Sequence, residues 1–290
     1  MKPAPFEYHR PRTRAEALAL LDRHAGEAKV LAGGQSLVPL MNFRLARPGR
    51  LVDLGSIGDL ASIREDGGTI RIGAMTRQAD VEDSAMLARR CPLLAQASRW
   101  IGHRTIRNRG TVGGSLAHAD PSAEYPAALL ALDGTVVATG PAGERVVPAR
   151  ELFVSYCMTS LGPAELITEI HVPAAPARTG TAFVELSRRH GDFAIVGVAA
   201  VVRLDDTGQL RDARIALAGV GPTPIRCSAA EQTLEGQQPG AKLFAAAAAA
   251  CGAAADPGDD LHASADYRRA MVEVFVGRAL ASALARVGGS

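Results

Sequence analysis

The sequence predicts an α+β protein in two parts: an irregular mixed region, then a small antiparallel sheet covered by helices. Three observations predict it. The chain has 290 residues, beyond the ~100 to 200 of one ordinary domain. A Pro-rich stretch at 173–180, Pro-Ala-Ala-Pro-Ala-Arg-Thr-Gly, interrupts the run of elements, as such punctuation does between domains. Beyond it the signals segregate, with long strands first and helices afterwards, which is the α+β order. The division is expected at 176/177, giving parts 1–176 and 177–290.

The elements follow in order. Thr13 and Glu16 form a capping box, and Ala17, Leu18 and Leu21 recur on one helical face until Gly26 stops the helix. A strand at 28–32 runs straight into Gly33-Gly34-Gln35-Ser36; residues 37–43 read as a helical turn and 51–54 as a strand. Strands at 61–65 and 69–73 flank Asp66-Gly67-Gly68, a hairpin signal. Thr76 is placed to cap a helix reaching Asp83, and Pro92 suits the first position of a helix through Trp100. Residues 104–125 show neither period and read as a Gly-rich binding loop until Asp120-Pro121, an N-cap followed by Pro, starts a helix toward Leu132. Asp133-Gly134 turns into strands near 135–138 and 144–147, and 166–172 is a further strand. In the second part, strands at 182–187, 193–204 and 211–218 make an antiparallel meander. Helices at 228–234, 242–255 and from Asp266 follow, the last carrying Val272, Phe275, Val276, Ala279, Leu280, Ala283 and Leu284 on one stripe.

Composition narrows the function. Hydrophobic residues at 47% and charged ones at 21% fit a globular chain, and the net charge of +2 comes without a basic block. Neither nucleic acid nor an anionic membrane surface is therefore an expected partner. Met1 to Arg14 has no apolar secretory core, and no apolar run approaches the ~20 residues of a membrane span, so a cytoplasmic protein is expected. Cys91, Cys157, Cys227 and Cys251 are too scattered for zinc or an iron-sulfur cluster and read as buried, reduced thiols; no metal site is expected.

Two segments carry the chemistry: Ala32-Gly33-Gly34-Gln35-Ser36 and Thr111-Val112-Gly113-Gly114-Ser115. Each sets a Gly-Gly pair beside hydroxyl residues. Without Cβ atoms, such pairs let backbone N–H groups converge on an anion, with Ser36, Thr111 and Ser115 as added donors. Two such loops would bracket a pyrophosphate. There is no Gly-x-Gly-x-x-Gly after a strand and no P-loop, so a dinucleotide would need a different cradle.

Val30 to Leu37 resembles the first FAD loop of the flavoprotein subunits of molybdenum hydroxylases, the xanthine dehydrogenase and carbon monoxide dehydrogenase family. Ile106-Arg107-Asn108-Arg109-Gly110-Thr111-Val112-Gly113-Gly114-Ser115-Leu116-Ala117-His118-Ala119-Asp120-Pro121 is similar to the second. Arg188-Arg189, Gly191-Asp192-Phe193-Ala194 and Tyr267-Arg268-Arg269 also match family positions. The resemblance implies an FAD-binding domain of the vanillyl-alcohol oxidase (PCMH) type in two α+β subdomains, about 1–55 and 56–176, with the flavin between them. It implies noncovalent FAD held by Leu31, Ala32, Gly33, Gly34, Gln35, Ser36 and Leu37 from the first loop and Thr111, Gly113, Gly114 and Ser115 from the second. Glu124, with Asp120 competing, would accept bonds from cofactor hydroxyls, while Ile101 and Ile167 would pack near the flavin. Where the xanthine dehydrogenase branch has a Lys, this chain has Val184 and then Glu185, so a Lys–flavin contact is not expected.

The resemblance further implies two partners, a large molybdopterin subunit that hydroxylates substrate and a small one with 2Fe-2S clusters, assembled as a dimer of heterotrimers. Electrons would pass from the clusters to FAD and on to an external acceptor, with no catalytic side chain in this chain. Carbon monoxide, heterocycles and aldehydes all stay open as substrates of the complex. Two other readings stand beside it: a self-contained reductase of the UDP-N-acetylenolpyruvoylglucosamine reductase type, and a flavin-free assembly subunit. His103, His118 and His190 read as loop residues rather than flavin tethers, and Trp100 and Tyr125 as core or interface residues. Arg104, Arg107 and Arg109 read equally as phosphate partners or as ion pairs.

Overall fold

The computed structural model describes residues 1–288. The helix Arg14–Arg23 starts where its cap predicts, with the Glu16 N–H donating to Thr13 Oγ1 at 3.1 Å. The Glu16 carboxylate accepts from the N–H of Arg12 at 2.8 Å, one residue before the usual partner in a capping box. Its buried face, Ala17 and Leu21, packs with Val52, Leu54, Ile57 and Leu60. This cluster lies on a three-stranded parallel sheet in the order Glu7–His9, Arg50–Asp53, Ala28–Leu31. Glu7–His9 is a strand that pattern reading missed, being too short to show a period. The first Gly-rich loop leaves the C-terminal end of Ala28–Leu31 and leads into the helix Leu37–Asn42. Beyond the carboxyl ends of parallel strands is where open sheets hold their ligands.

A five-stranded antiparallel sheet follows, in the order Ile63–Asp66, Thr69–Gly73, Leu166–Pro173, Thr135–Gly140, Gly143–Pro148. The expected hairpin is present, and Gly67 and Gly68 turn it with φ of 57° and 79°, which other residues adopt only with strain. Ile70, Ile72, Val136 and Ile170 from this sheet pack against Leu93, Leu94, Leu129 and the buried Tyr125. Two expectations fail here. Thr76 caps no helix: its hydroxyl donates to the Ser62 carbonyl at 3.1 Å and accepts from the Ser62 N–H at 3.2 Å, so Arg77 precedes the helix Gln78–Asp83 instead. The stretch 104–125 is not a loop but holds short helices Arg104–Arg107 and Val112–His118. The next helix, Glu124–Ala131, begins after Asp120-Pro121 because Asp120 accepts from the Ser122 N–H at 2.9 Å, closing a local turn in place of a cap.

The meander is Thr179–Leu186, Val196–Leu204 and Leu210–Ala218, closed by a short strand Ile225–Arg226. Helices Ser228–Leu234, Ala241–Ala254 and Ala265–Leu284 cover one face. Side chains alternate across a strand, so Ala182, Val198, Ala200 and Ile215 pack with Val272, Val276 and Leu280 of the last helix. Phe183, Ala199, Val201, Ala216 and Ala218 instead join the core of the first part. A sheet covered on both sides explains why Val196–Leu204 is buried over seven consecutive positions. Arg268 fastens the corner, donating to the carbonyls of Ile195 at 2.6 Å and Gly219 at 2.8 Å and to Asp260 at 2.6 Å. Among the described residues, no helix is long and apolar enough to cross a membrane.

Candidate functional site

The two Gly-rich segments, far apart in sequence, pack against each other. A Cβ on Gly33 would lie 2.3 Å from the carbonyl oxygen of Arg109 and 2.8 Å from Cα of Gly110. A Cβ on Gly114 would lie 3.4 Å from that of Ala32. Glycine is required at 33 because backbone meets backbone there.

Their chemistry differs. In the first segment the N–H groups of Gly33, Gly34, Gln35 and Ser36 donate to no protein acceptor among the described residues. Gly34 is left-handed, with φ of 75°, and the segment is half-buried apart from the exposed Ser36. Successive free N–H groups in such a turn form an anion-binding nest. In the second segment the N–H groups of residues 112–115 are already used, so its Gly-Gly pair does not offer an anion the free backbone donors expected of it. Val112 donates to the Thr76 carbonyl at 3.1 Å, Gly113 to that of Ala74 at 2.9 Å, and Ser115 to that of Thr111 at 3.1 Å. Gly114 donates to Thr111 Oγ1, also at 3.1 Å. The segment is a capped helical turn. Its glycines serve close packing, since a Cβ on Gly113 would lie 2.5 Å from that of Ala74. What it offers outward is one hydroxyl: Ser115 is half-buried and has no side-chain hydrogen bond among the described residues.

Carboxyl groups gather below this helix. Glu124 opens the helix Glu124–Ala131 and is only 7% exposed. Burial pushes its carboxyl above the ordinary range, and nearby Asp120 adds to the shift. Arg107, the cation facing it, is committed elsewhere, donating to the carbonyls of Ile101 at 2.9 Å and Gly102 at 3.0 Å and to Glu82 at 2.8 Å. Arg104 pairs with Glu82 and Asp83. Of the two readings of the basic cluster, the ion pair is the one these two residues follow, and Arg109 is exposed. Glu185, on the strand Thr179–Leu186, is 5% exposed, and neither carboxylate oxygen has a hydrogen-bond partner among the described residues. Sequence reading treated Glu185 only as a missing Lys; a lone Glu in an otherwise apolar strand was the available signal.

The remaining candidates divide. Ile101 and Ile167 are side chains of the larger core. Tyr125 is a core residue as expected, its hydroxyl 2.7 Å from Ser98 Oγ. Trp100 is half-buried with its ring 6.0 Å from that of His190, which also lies 6.3 Å from His103. Cys91, Cys227 and Cys251 are buried, but Cys157 is exposed at a hairpin turn, contrary to the expectation for all four.

Residues 4–175 match the model of the FAD binding domain in molybdopterin dehydrogenase, and residues 181–283 match that of the CO dehydrogenase flavoprotein C-terminal domain. The chain belongs to this flavoprotein family. It is 48% identical to the 6-hydroxypseudooxynicotine dehydrogenase complex subunit alpha of Paenarthrobacter nicotinovorans, over 99% of this chain and 97% of that one. Against the carbon monoxide dehydrogenase medium chain of Hydrogenophaga pseudoflava the identity is 42%, over 99% of both. A solved structure of the Hydrogenophaga enzyme superposes with a TM-score of 0.97 over 99% of this chain and all of that one, at 44% identity. Quinoline 2-oxidoreductase of Pseudomonas putida gives 0.94 over 99% of both at 32%. The chain is thus an FAD-dependent oxidoreductase subunit with the fold the resemblance implied. The matches support neither the self-contained reductase nor the flavin-free assembly subunit. The residues present suit the flavoprotein cofactor: a nest of N–H groups unpaired among the described residues answers a pyrophosphate, and buried carboxyls, of which Glu185 has no hydrogen-bond partner among the described residues, answer its polar groups.

Proposed function

We propose that this flavoprotein subunit holds one noncovalent FAD across its two Gly-rich segments and relays electrons between the iron-sulfur clusters of a partner and an external acceptor. The observation that carries the placement is the run of unpaired N–H groups at 33–36. In this reading Leu31, Ala32, Gly33, Gly34, Gln35, Ser36 and Leu37 bind the pyrophosphate side. Thr111, Gly113, Gly114 and Ser115 support that loop from below, and Ser115 adds a hydroxyl. Glu124 and Asp120 accept from cofactor hydroxyls, and Ile101 and Ile167 line the apolar side. Bound flavin supplies the redox chemistry by accepting and releasing electrons. The chain's part is to bind and orient it.

In this reading the chain divides at 176/177, the first part has subdomains meeting near residue 55, and the cofactor lies between the parallel and antiparallel sheets. Relatives named as medium subunits imply larger and smaller partners. We assign these as a molybdopterin subunit and a 2Fe-2S subunit, joined as a dimer of heterotrimers in the cytoplasm. Purified alone, the chain should contain about one FAD and reduce no dye with aldehydes or heterocycles, because substrate activation lies in the partner. Flavin absorption per protein and substrate-dependent dye reduction are the measurements. Absence of flavin would remove the cofactor reading, and dye reduction by the single chain would remove the relay.

A further inference from the structure

Glu185 is a carboxylate without a counterpart. On its strand the residues alternate between two cores: Ala182 joins the helix-covered one and Phe183 the one shared with the first part. Thr181, two residues before Phe183, donates to Gln96 Oε1 at 3.2 Å, fixing which way this face points. Glu185 continues that face, so its carboxyl enters the junction between the two parts. Its partner across the strand pair is Gly197, which has no side chain to meet it. The neighbouring Ser187 hydroxyl donates to the Arg189 carbonyl at 3.0 Å, and what it offers the Glu185 carboxyl only partly offsets the effect of burial.

The charged surroundings make this position hostile to an anion. The nearby ionisable group is Glu124, of like sign, with Asp120 beyond it. Arg107 is held by Glu82 and two carbonyls. Tyr125 is buried and bonded to Ser98. The strands behind present Gly197 and Ala218, which carry no charge. Burial first, and then Glu124, drive the Glu185 carboxyl well above its ordinary value. A buried carboxylate without a paired cation gives up its charge rather than remain ionised, so the neutral acid is the resident form.

We propose that Glu185 is a further cofactor-binding residue that meets FAD as a neutral carboxylic acid, its O–H donating to a cofactor acceptor while Glu124 accepts from cofactor hydroxyls. This rests on the flavin reading above. A neutral acid has a donor that an ionised one lacks, and FAD brings the negative charge of its pyrophosphate into a site already rich in carboxyls. Binding therefore selects the protonated form, and FAD affinity declines as pH rises and Glu185 ionises. At most one proton is taken up from solvent per FAD bound.

The test uses the full chain stripped of flavin, titrated with FAD from pH 6 to pH 10, beside Glu185→Gln and Glu185→Ala. The wild-type Kd should rise in the upper part of that range, by up to about tenfold per pH unit. Glu185→Gln, a permanent neutral donor, should keep the low-pH affinity and lose this rise. Glu185→Ala should bind roughly three- to tenfold more weakly at low pH. The flavin-free chain gives a second reading. A carboxyl raised when folded contributes stability that is full below the unfolded value near 4.5 and is lost as pH rises through the folded one. The melting temperature should thus fall with alkalinity, and less so in Glu185→Gln. Identical pH profiles for wild type and Glu185→Gln in both measurements would overturn the proposal. If wild type binds no FAD at any pH, the flavin reading itself falls and takes the cofactor role with it, whereas the melting curves still report whether Glu185 is neutral.

Discussion

Two segments with nearly the same wording, Gly-Gly flanked by hydroxyl residues, do opposite things with their backbone. At 33–36 the chain leaves a parallel strand through a left-handed Gly34, and its N–H groups meet no protein acceptor among the described residues. At 112–115 the same residue types close a helical turn, and every N–H finds an oxygen. The first pair of glycines frees donors; the second lets Ala74 and Ala32 approach. A Gly-Gly pair is thus evidence of close approach, and only the surrounding hydrogen bonds say whether a ligand or the protein itself is approached. The comparison yields a division: changes in the first segment should act on flavin affinity, and changes in the second on stability.

The largest effect is expected from Gly33→Val. Its Cβ would stand 2.3 Å from a backbone oxygen that cannot swing aside, so the two segments must part and the nest lose its geometry. Losing two charge-assisted hydrogen bonds of ~1.5 to 3 kcal/mol each lowers affinity by about two to four powers of ten. The purified variant should be colourless yet keep its helical circular dichroism. Retained flavin at wild-type affinity would show that the segments need not touch. A smaller effect is expected from Gly34→Ala. The added methyl meets Val38 and Leu31 at 3.2 and 3.3 Å and must take a φ of 75°, a left-handed conformation costing ~1 to 2 kcal/mol outside glycine. If that strain falls on the nest, fluorescence titration with FAD should show roughly tenfold weaker binding. An unchanged Kd with a lowered melting temperature would place the first segment in the structural class and erase the contrast.

How much of this was readable in advance depended on how local the cause was. The N-cap at Thr13, the hairpin at Gly67-Gly68 and the three long strands after residue 178 follow from neighbouring residues, and they stand within about three residues of where the pattern put them. Thr76 and Asp120 failed as caps because each hydrogen-bonds a different backbone group, Thr76 at Ser62 and Asp120 within its own turn. Both segments were located from sequence, but which carries free donors depends on the carbonyls of Ala74 and Thr76, more than thirty residues upstream. Glu185 was legible only as an odd residue in an apolar strand; its lack of partners is a fact of the junction between two sheets.

The smallest effect on the cofactor, and the sharpest check on the division, is Thr111→Ala. Thr111 is buried, and its hydroxyl accepts the Gly114 N–H at 3.1 Å as the N-cap of the helix Val112–His118. Removing a capping hydroxyl of this kind costs ~1 kcal/mol, a fall of roughly 2 to 4 °C in melting temperature for a protein of this size. The backbone bonds of Val112 and Gly113 to Thr76 and Ala74 do not involve the hydroxyl. The turn should therefore survive, Ala32 should stay in place, and FAD affinity should change by less than about threefold, within the worth of a single neutral hydrogen bond. A calorimetric scan and an FAD titration on the same preparation separate the two terms. If Thr111→Ala instead lost flavin as completely as Gly33→Val while melting at the wild-type temperature, the hydroxyl would be a direct cofactor donor and the second segment would belong with the first.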